Sequence, residues 1–132
     1  MTVRVGINGF GRIGRNFFRA VKASNADVEI VAVNDLGSLS TMAHLLKYDS
    51  VLGILPYDIK AVEGGISIDG KVLTVLQERD PKALPWGKLG VDLVIESTGI
   101  FTDREKAAQH LDGGAPLVIV SAPSNGADAT FV

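Results

Sequence analysis

Val3-Arg4-Val5-Gly6-Ile7-Asn8-Gly9-Phe10-Gly11-Arg12-Ile13-Gly14-Arg15 carries a short apolar strand straight into a glycine-spaced turn, and Val31-Ala32-Val33-Asn34-Asp35 ends a second strand on a lone acid. In this spacing each glycine has its own task. Gly9 permits the tight turn, Gly11 lets backbone approach a pyrophosphate, and Gly14 lets the following helix lie close to the strand. A helix starting at such a turn aims unpaired N–H groups and the positive end of its dipole at phosphates. Asp35 follows Gly14 by 21 residues, near the ~20 expected of an acid that accepts from an adenine-ribose hydroxyl. Glycine spacing alone is a weak signal. Strand, helix and acid in register point together to a dinucleotide site.

Outward from this stretch, short Val/Ile-rich runs alternate with segments of helical period, the pattern of a parallel sheet with crossover helices. Strands are expected over Val3 to Asn8, Val28 to Asn34, Leu93 to Ser97 and Leu117 to Ser121, each apolar on both faces as in a sheet covered on both sides. A helix from Arg12 to Ala23 repeats Ile13, Phe17, Ala20 and Val21 on one face. A second, Ser40 to Lys47, turns Leu39, Met42, Ala43 and Leu46 inward behind an N-cap at Ser38 or Ser40. The capping box Thr102-Asp103-Arg104-Glu105 opens a third, stopped by Gly113-Gly114. Ile66 to Leu73 alternates around Asp69-Gly70, a hairpin signal. Asp80-Pro81 to Pro85-Trp86 reads as a loop or a single helical turn. The fold class is therefore α/β, a Rossmann-type doubly wound, mostly parallel sheet with a small antiparallel hairpin excursion, in one domain over residues 1–132.

The 132-residue chain is 46% hydrophobic and 21% charged, in the globular range, and is long enough to bury its own core. A net charge of −2 without a basic block gives no support for a nucleic-acid or membrane surface. No apolar run approaches the ~18 residues of a spanning helix, and the chain enters a strand directly after Met1-Thr2, so a cytoplasmic location is the default expectation. Cysteine is absent, which excludes disulfides, thiolate metal ligands and a cysteine nucleophile within these residues. His44 and His110 have no second His or Cys at ligand spacing. His44 reads as part of a short helix and His110 as a cation near a helix C-terminus, so no catalytic or metal residue is assigned.

Three further segments fall where a wound sheet presents its strand C-termini and binds ligands: Gln77 to Pro81, Glu96 to Phe101, and Ser121-Ala122-Pro123. With these in view the chain resembles the N-terminal NAD-binding part of phosphorylating, NAD-dependent glyceraldehyde-3-phosphate dehydrogenase. The strings carrying the resemblance are VRVGINGFGRIGRN (3–16), VNDL (33–36), HLLKYDSVLG (44–53), ERDP (78–81), PWG (85–87), GVDLVIESTGIFT (90–102) and SAP (121–123). Two places depart from the pattern. Ile54-Leu55-Pro56-Tyr57 stands where an Arg and a basic stretch are expected, and Ala115-Pro116-Leu117 replaces a lysine pair.

The resemblance implies NAD as cofactor and a set of contact residues: Asn8, Gly9, Phe10, Gly11, Arg12 and Ile13 at the first turn, with Arg12 and Ile13 offering backbone amides to the pyrophosphate. It implies Asn34 and Asp35 at the adenosine ribose and Arg79 beside the adenine. It further implies the Ser97-Thr98-Gly99 turn and Phe101 along the adenosine side, and Ser121 near the nicotinamide. Two of these have another reading in the residues alone, Phe101 as a core ring and Arg79 as a loop cation held by Asp80. Cofactor choice follows from charge. Asp35 on the ribose would oppose a 2′-phosphate at a cost of several kcal/mol, and no Arg or Lys within Leu36 to Thr41 offsets it, so NAD is expected over NADP.

In the resembled family a cysteine thiolate attacks the aldehyde, hydride passes to NAD, and phosphate releases the acyl enzyme with a histidine as base. Those residues belong beyond the pattern matched here, so the chain is expected to carry the cofactor half of a glycolytic oxidoreductase and to be inactive alone. The family's domain is also completed by a helix from its far C-terminus, and it assembles as a homotetramer. An uncovered apolar face on the helix-poor side, favouring self-association, is therefore expected. Two other readings remain open: a stand-alone or engineered Rossmann nucleotide-binding module without enzymatic activity, and a semialdehyde or homoserine dehydrogenase of the same fold.

Overall fold

Apolar runs too short for helices lie side by side in the computed structural model, which describes residues 1–132. The first half holds β1 (Val3–Asn8), α1 (Arg12–Ala23), β2 (Val28–Asn34), α2 (Leu39–Lys47), β3 (Tyr48–Asp49), β4 (Gly53–Ile54), β5 (Ile59–Val62) and β6 (Gly65–Ile68). The second holds β7 (Lys71–Leu76), a 3₁₀ turn at Pro81–Ala83, β8 (Leu93–Glu96), α3 (Arg104–Ala107), α4 (Gln109–Asp112) and β9 (Val118–Val120). One sheet runs β5-β6-β7-β2-β1-β8-β9, parallel from β7 to β9, while β3 and β4 form a separate hairpin. The strand order changes direction at β1, between β2 and β8, which places a switch point at the glycine turn.

The hairpin expected at Asp69-Gly70 forms, with both residues at positive φ (49° and 85°) as a tight two-residue turn requires. It is larger than read from sequence. β5 adds a third antiparallel strand, and β7 continues past the hairpin to pair in parallel with β2, so the excursion is fused to the main sheet.

Two apolar layers sandwich the sheet. On one side Val5, Ile7, Val33, Val75 and Ile95 meet Phe18 of α1 and Met42, Ala43 and Leu46 of α2. On the other, Ala32 and Val94 meet Leu84, Trp86, Val91 and Ala115. α2 buries the face its sequence marks, and Ser38 is its cap, accepting from the Thr41 N–H at 3.2 Å. α1 has the expected limits but a different inward face. Gly14, Phe18 and Arg19 are buried, whereas Ile13 is 52% exposed and Ala20 is exposed. Gly14 is the point of closest approach and has no side chain to count in an apolar pattern. Turning it inward carries Phe18, one turn on, into edge-to-face contact with Phe10 at 6.3 Å. Arg19 is admitted because its guanidinium donates to the carbonyls of Leu46, Lys47 and Gly53 at 2.8, 3.0 and 3.1 Å, closing the C-terminus of α2 and anchoring β4.

The third helix also differs from its expected form. Asp103, not Thr102, is its cap, accepting from the Lys106 N–H at 2.8 Å, and the helix breaks at Ala108 into α3 and α4. β9 is an edge strand rather than a doubly covered one. Ile119 pairs with Ile95, so it faces the same side as α1, and with no helix above it remains 48% exposed beside Leu117 at 56%. The uncovered apolar patch therefore lies at the sheet edge on the side of α1 and α2, not on the helix-poor side where it was expected. An apolar dye should bind the folded chain there. Ile119→Lys should lower dye binding and any concentration-dependent association in light scattering, while shifting stability by no more than about 0.5 kcal/mol. A monomeric chain that takes up no dye contradicts this.

Candidate functional site

The C-terminal ends of β1, β2 and β8 form the edge where the glycine turn sits. Gly9 has φ +91°, and a Cβ there would come within 2.8 Å of the Thr98 backbone nitrogen, so both conformation and space require glycine. A Cβ on Gly14 would strike the Gly9 carbonyl oxygen and sit 3.1 Å from Ser97 Oγ. Gly11 is different: a Cβ on it meets nothing within 4 Å. As the N-cap of α1 it has no side chain to satisfy the first turn, so the helix opens with its donors facing free space.

Asp35 stands beside this opening. Its Oδ2 accepts from the Phe10 N–H at 2.8 Å and its Oδ1 from the Gly37 N–H at 2.9 Å, which clamps the end of β2 to the turn after β1. Gln77 Nε2 donates to the Gly37 carbonyl at 2.9 Å and steadies the same loop. From the other side Arg15 Nη1 donates to the Phe10 carbonyl at 3.0 Å. Burial pushes the Arg15 guanidinium below its usual value against the pull of Asp49 and Asp35, and a guanidinium stays charged there.

Beneath the edge runs a buried polar ladder. Trp86 Nε1 donates to His110 Nδ1 at 3.1 Å, which leaves the ring proton on Nε2, 2.7 Å from Glu96 Oε1. Asn8 Nδ2 donates to the same oxygen at 2.6 Å, and Asn34 Nδ2 donates to Asn8 Oδ1 at 2.8 Å. Asn34 also pairs both ways with the Glu78 backbone, at 2.8 and 2.9 Å. Glu96 Oε2 accepts from the Thr98 N–H at 2.9 Å and its hydroxyl at 2.6 Å. Glu96 is 2% exposed and His110 fully buried, yet no buried side-chain nitrogen or oxygen lacks a partner. Burial alone would push the Glu96 carboxyl up, but donation from His110, Thr98 and Asn8 outweighs it and holds the group below the ordinary carboxylate value.

The residues singled out from sequence divide accordingly. Gly9, Phe10, Gly11, Arg12, Ile13 and Asp35 gather at the first turn and the end of β2. Ser97, Thr98 and Gly99 form the facing turn after β8, joined to the first by Ser97 Oγ donating to the Gly9 carbonyl at 2.7 Å. Ser121 lies at the end of β9, its N–H and hydroxyl donating to the Glu96 carbonyl at 3.0 and 3.1 Å. Asn8 and Asn34, at the ends of β1 and β2, are both buried with their amides committed to the ladder, which braces the edge from below. Arg79 is exposed and not held by Asp80, whose carboxylate accepts from the Lys82 N–H at 3.0 Å and caps the 3₁₀ turn. Phe101 is half-buried with its ring edge-on to His110 at 6.5 Å. His110 is not the helix-end cation read from sequence. It is a core residue, and with Glu96 and Trp86 it is the part of the site that sequence reading missed. The available signal was an acid at the end of an otherwise apolar strand, where only a full set of donors would permit it.

An uncapped helix start over open space, a strained glycine turn and a fixed carboxylate at the neighbouring strand end fit a ligand that carries both a pyrophosphate and a ribose diol. The fold and site define a dinucleotide-binding module of the Rossmann class, as found in oxidoreductases. Residues 3–104 match the family described as glyceraldehyde 3-phosphate dehydrogenase, NAD binding domain. The whole chain is 63% identical to glyceraldehyde-3-phosphate dehydrogenase 1 of Streptomyces arenae, covering 40% of it, and 64% identical to glyceraldehyde-3-phosphate dehydrogenase 1 of Streptomyces avermitilis, again covering 40%. It is 56% identical to the glyceraldehyde-3-phosphate dehydrogenase of Geobacillus stearothermophilus, covering 39%. The chain belongs to the NAD-binding domain family of glyceraldehyde-3-phosphate dehydrogenase, whose cofactor is NAD, and spans about 40% of the length of the curated relatives it matches.

Because the Glu96 pKa is lowered on folding, its contribution to stability is complete above the unfolded value of about 4.3 and is lost as pH falls through the lower folded value. Glu96→Gln should therefore flatten the acid limb of unfolding free energy below about pH 5. Glu96→Ala, which strands buried donors, should cost about 3 kcal/mol or more in denaturant unfolding.

Proposed function

We propose that this chain is a single NAD-binding domain over residues 1–132, serving as the cofactor half of a phosphorylating glyceraldehyde-3-phosphate dehydrogenase. The observation that carries the reading is the meeting, at one sheet edge, of the open space before Gly11 with the Asp35 carboxylate held by the Phe10 N–H. The Arg12 and Ile13 amides, at the positive end of α1, take the pyrophosphate. Asp35 takes the adenosine ribose, with Arg79 beside the adenine. The Ser97-Thr98-Gly99 turn and Phe101 line the adenosine side, and Ser121 lies toward the nicotinamide. Bound NAD supplies a hydride acceptor for oxidation of the aldehyde. The residues of this chain bind and orient it, since without cysteine they offer no thiolate to form the covalent aldehyde adduct. We assign the nucleophile and its histidine base to residues outside these 132.

No helix is long and apolar enough to cross a membrane. A cytoplasmic, glycolytic setting follows from the family, with self-association through the uncovered face of β9.

Calorimetric titration of the chain with NAD and NADP tests the reading. NAD should bind, with NADP much weaker because Asp35 opposes the extra phosphate, and Asp35→Ser should narrow the difference. Gly11→Val adds side-chain volume where the free fold has room, so it should weaken NAD binding at least about tenfold. Its effect on stability should stay near that of an ordinary surface change, about 0.5 kcal/mol. A folded chain that takes neither nucleotide refutes the proposal.

A further inference from the structure

We propose that Glu96 is a positioning residue for the dinucleotide, acting through Thr98 on the Ser97-Thr98-Gly99 turn; the inference rests on the NAD-binding reading above. The ladder has a fixed polarity, set at its two ends. At one end the Trp86 indole can only donate, so His110 Nδ1 accepts and its Nε2–H is turned toward Glu96. At the other end the Glu78 backbone holds Asn34 by both its oxygen and its nitrogen, which fixes the orientation of that amide. Asn34 then donates to Asn8 Oδ1, so the Asn8 nitrogen must point at Glu96. With the Thr98 N–H and hydroxyl on the second oxygen, four donors converge on Glu96, and three of them, the Asn8 amide nitrogen, the His110 Nε2–H and the Thr98 N–H, cannot accept. Only a carboxylate satisfies both halves. A glutamine with its oxygen toward Thr98 sets its NH₂ against the hydrogens of Asn8 and His110, and turned round it opposes the Thr98 N–H.

The half that faces Thr98 reaches the surface. Thr98 Oγ1, besides donating to Glu96, accepts from the Ile100 N–H at 3.1 Å, and Gly99 between them has φ +77°. The exposed turn is thus hung from a buried, immobile anion on one side. On the other it is tied to the glycine turn by Ser97 Oγ on the Gly9 carbonyl. The two turns that flank the proposed cleft are thus joined at Ser97, and Glu96 fixes from below how the rest of the second turn stands.

Calorimetry of the full chain with NAD tests this on Glu96→Gln, Thr98→Val, Thr98→Ser and the double variant Glu96→Gln/Thr98→Val. Unfolding midpoints are followed alongside, with the emission of Trp86, the chain's only tryptophan, as a reporter of the far end of the ladder. Thr98→Val should weaken NAD about tenfold and, by taking one donor from the buried carboxylate, lower the midpoint while leaving the emission unchanged; Thr98→Ser, which keeps the hydroxyl, should bind within about twofold of the parent with its midpoint retained. Glu96→Gln should weaken NAD at least as much, and the double variant no further than Glu96→Gln alone, because both act through one turn. If Glu96→Gln does not fold, the Val and Ser variants of Thr98 decide the matter. NAD binding indifferent to Thr98→Val, or losses that multiply in the double variant, overturn the assignment alone. A parent chain that takes up no NAD overturns the reading on which it rests and the assignment with it.

Discussion

A carboxylate withdrawn from water must be met by donors on every side, and Glu96, at the C-terminal end of β8, imposes that demand on the whole edge of the sheet. Asn8 answers from β1, His110 from α4 and Thr98 from the turn after β8, while Asn34 on β2 orients Asn8. The same groups therefore fix where three parallel strands end, how α4 lies against them, and where Trp86 enters the second apolar layer. Had any of these donors been missing, the acid would have been a liability of several kcal/mol in the core. With all of them present it makes the edge of the sheet unique.

Above this buried layer the open side of the edge is built from backbone. Gly9 and Gly14 let turn and helix come together closely enough that Ser97 can bridge to the first turn, and Asp35 spends its carboxylate on the N–H groups of Phe10 and Gly37. The only crowding-free glycine in the motif, Gly11, sits before the uncapped end of α1. What the edge presents is chiefly backbone dipoles and one fixed negative charge. Arg15 and Arg19 are both turned away into structural duties, one on the Phe10 carbonyl and the other on the carbonyls around the end of α2.

How far the sequence could be read depended on whether a residue's duty is local. The limits of α1, the Asp69-Gly70 hairpin and the Ser38 cap follow from spacing and turn chemistry within a few residues, and all appear where they were expected. The inward face of α1 did not, because its closest contact is Gly14, which carries no side chain for a periodicity to register. Asn8 and Asn34 entered the sequence reading through the resemblance alone, and their place in the ladder was not legible, because their amides are claimed from below by partners as far away in sequence as Glu96 and Glu78. His110 read as a helix-end cation for the same reason, its partners Trp86 and Glu96 lying on other elements.

The chain by itself determined an α/β sheet with a glycine turn after its first strand, an acid at the end of its second, and the family to which it belongs, since these are written in contiguous motifs. Tertiary structure alone decided which of those residues stand open at the edge and which are consumed beneath it. Hydrogen-bond direction propagates through space, from Trp86 to His110 to Glu96 to Asn8 to Asn34, and a chain of donors and acceptors scattered over five segments leaves no periodic trace along the sequence.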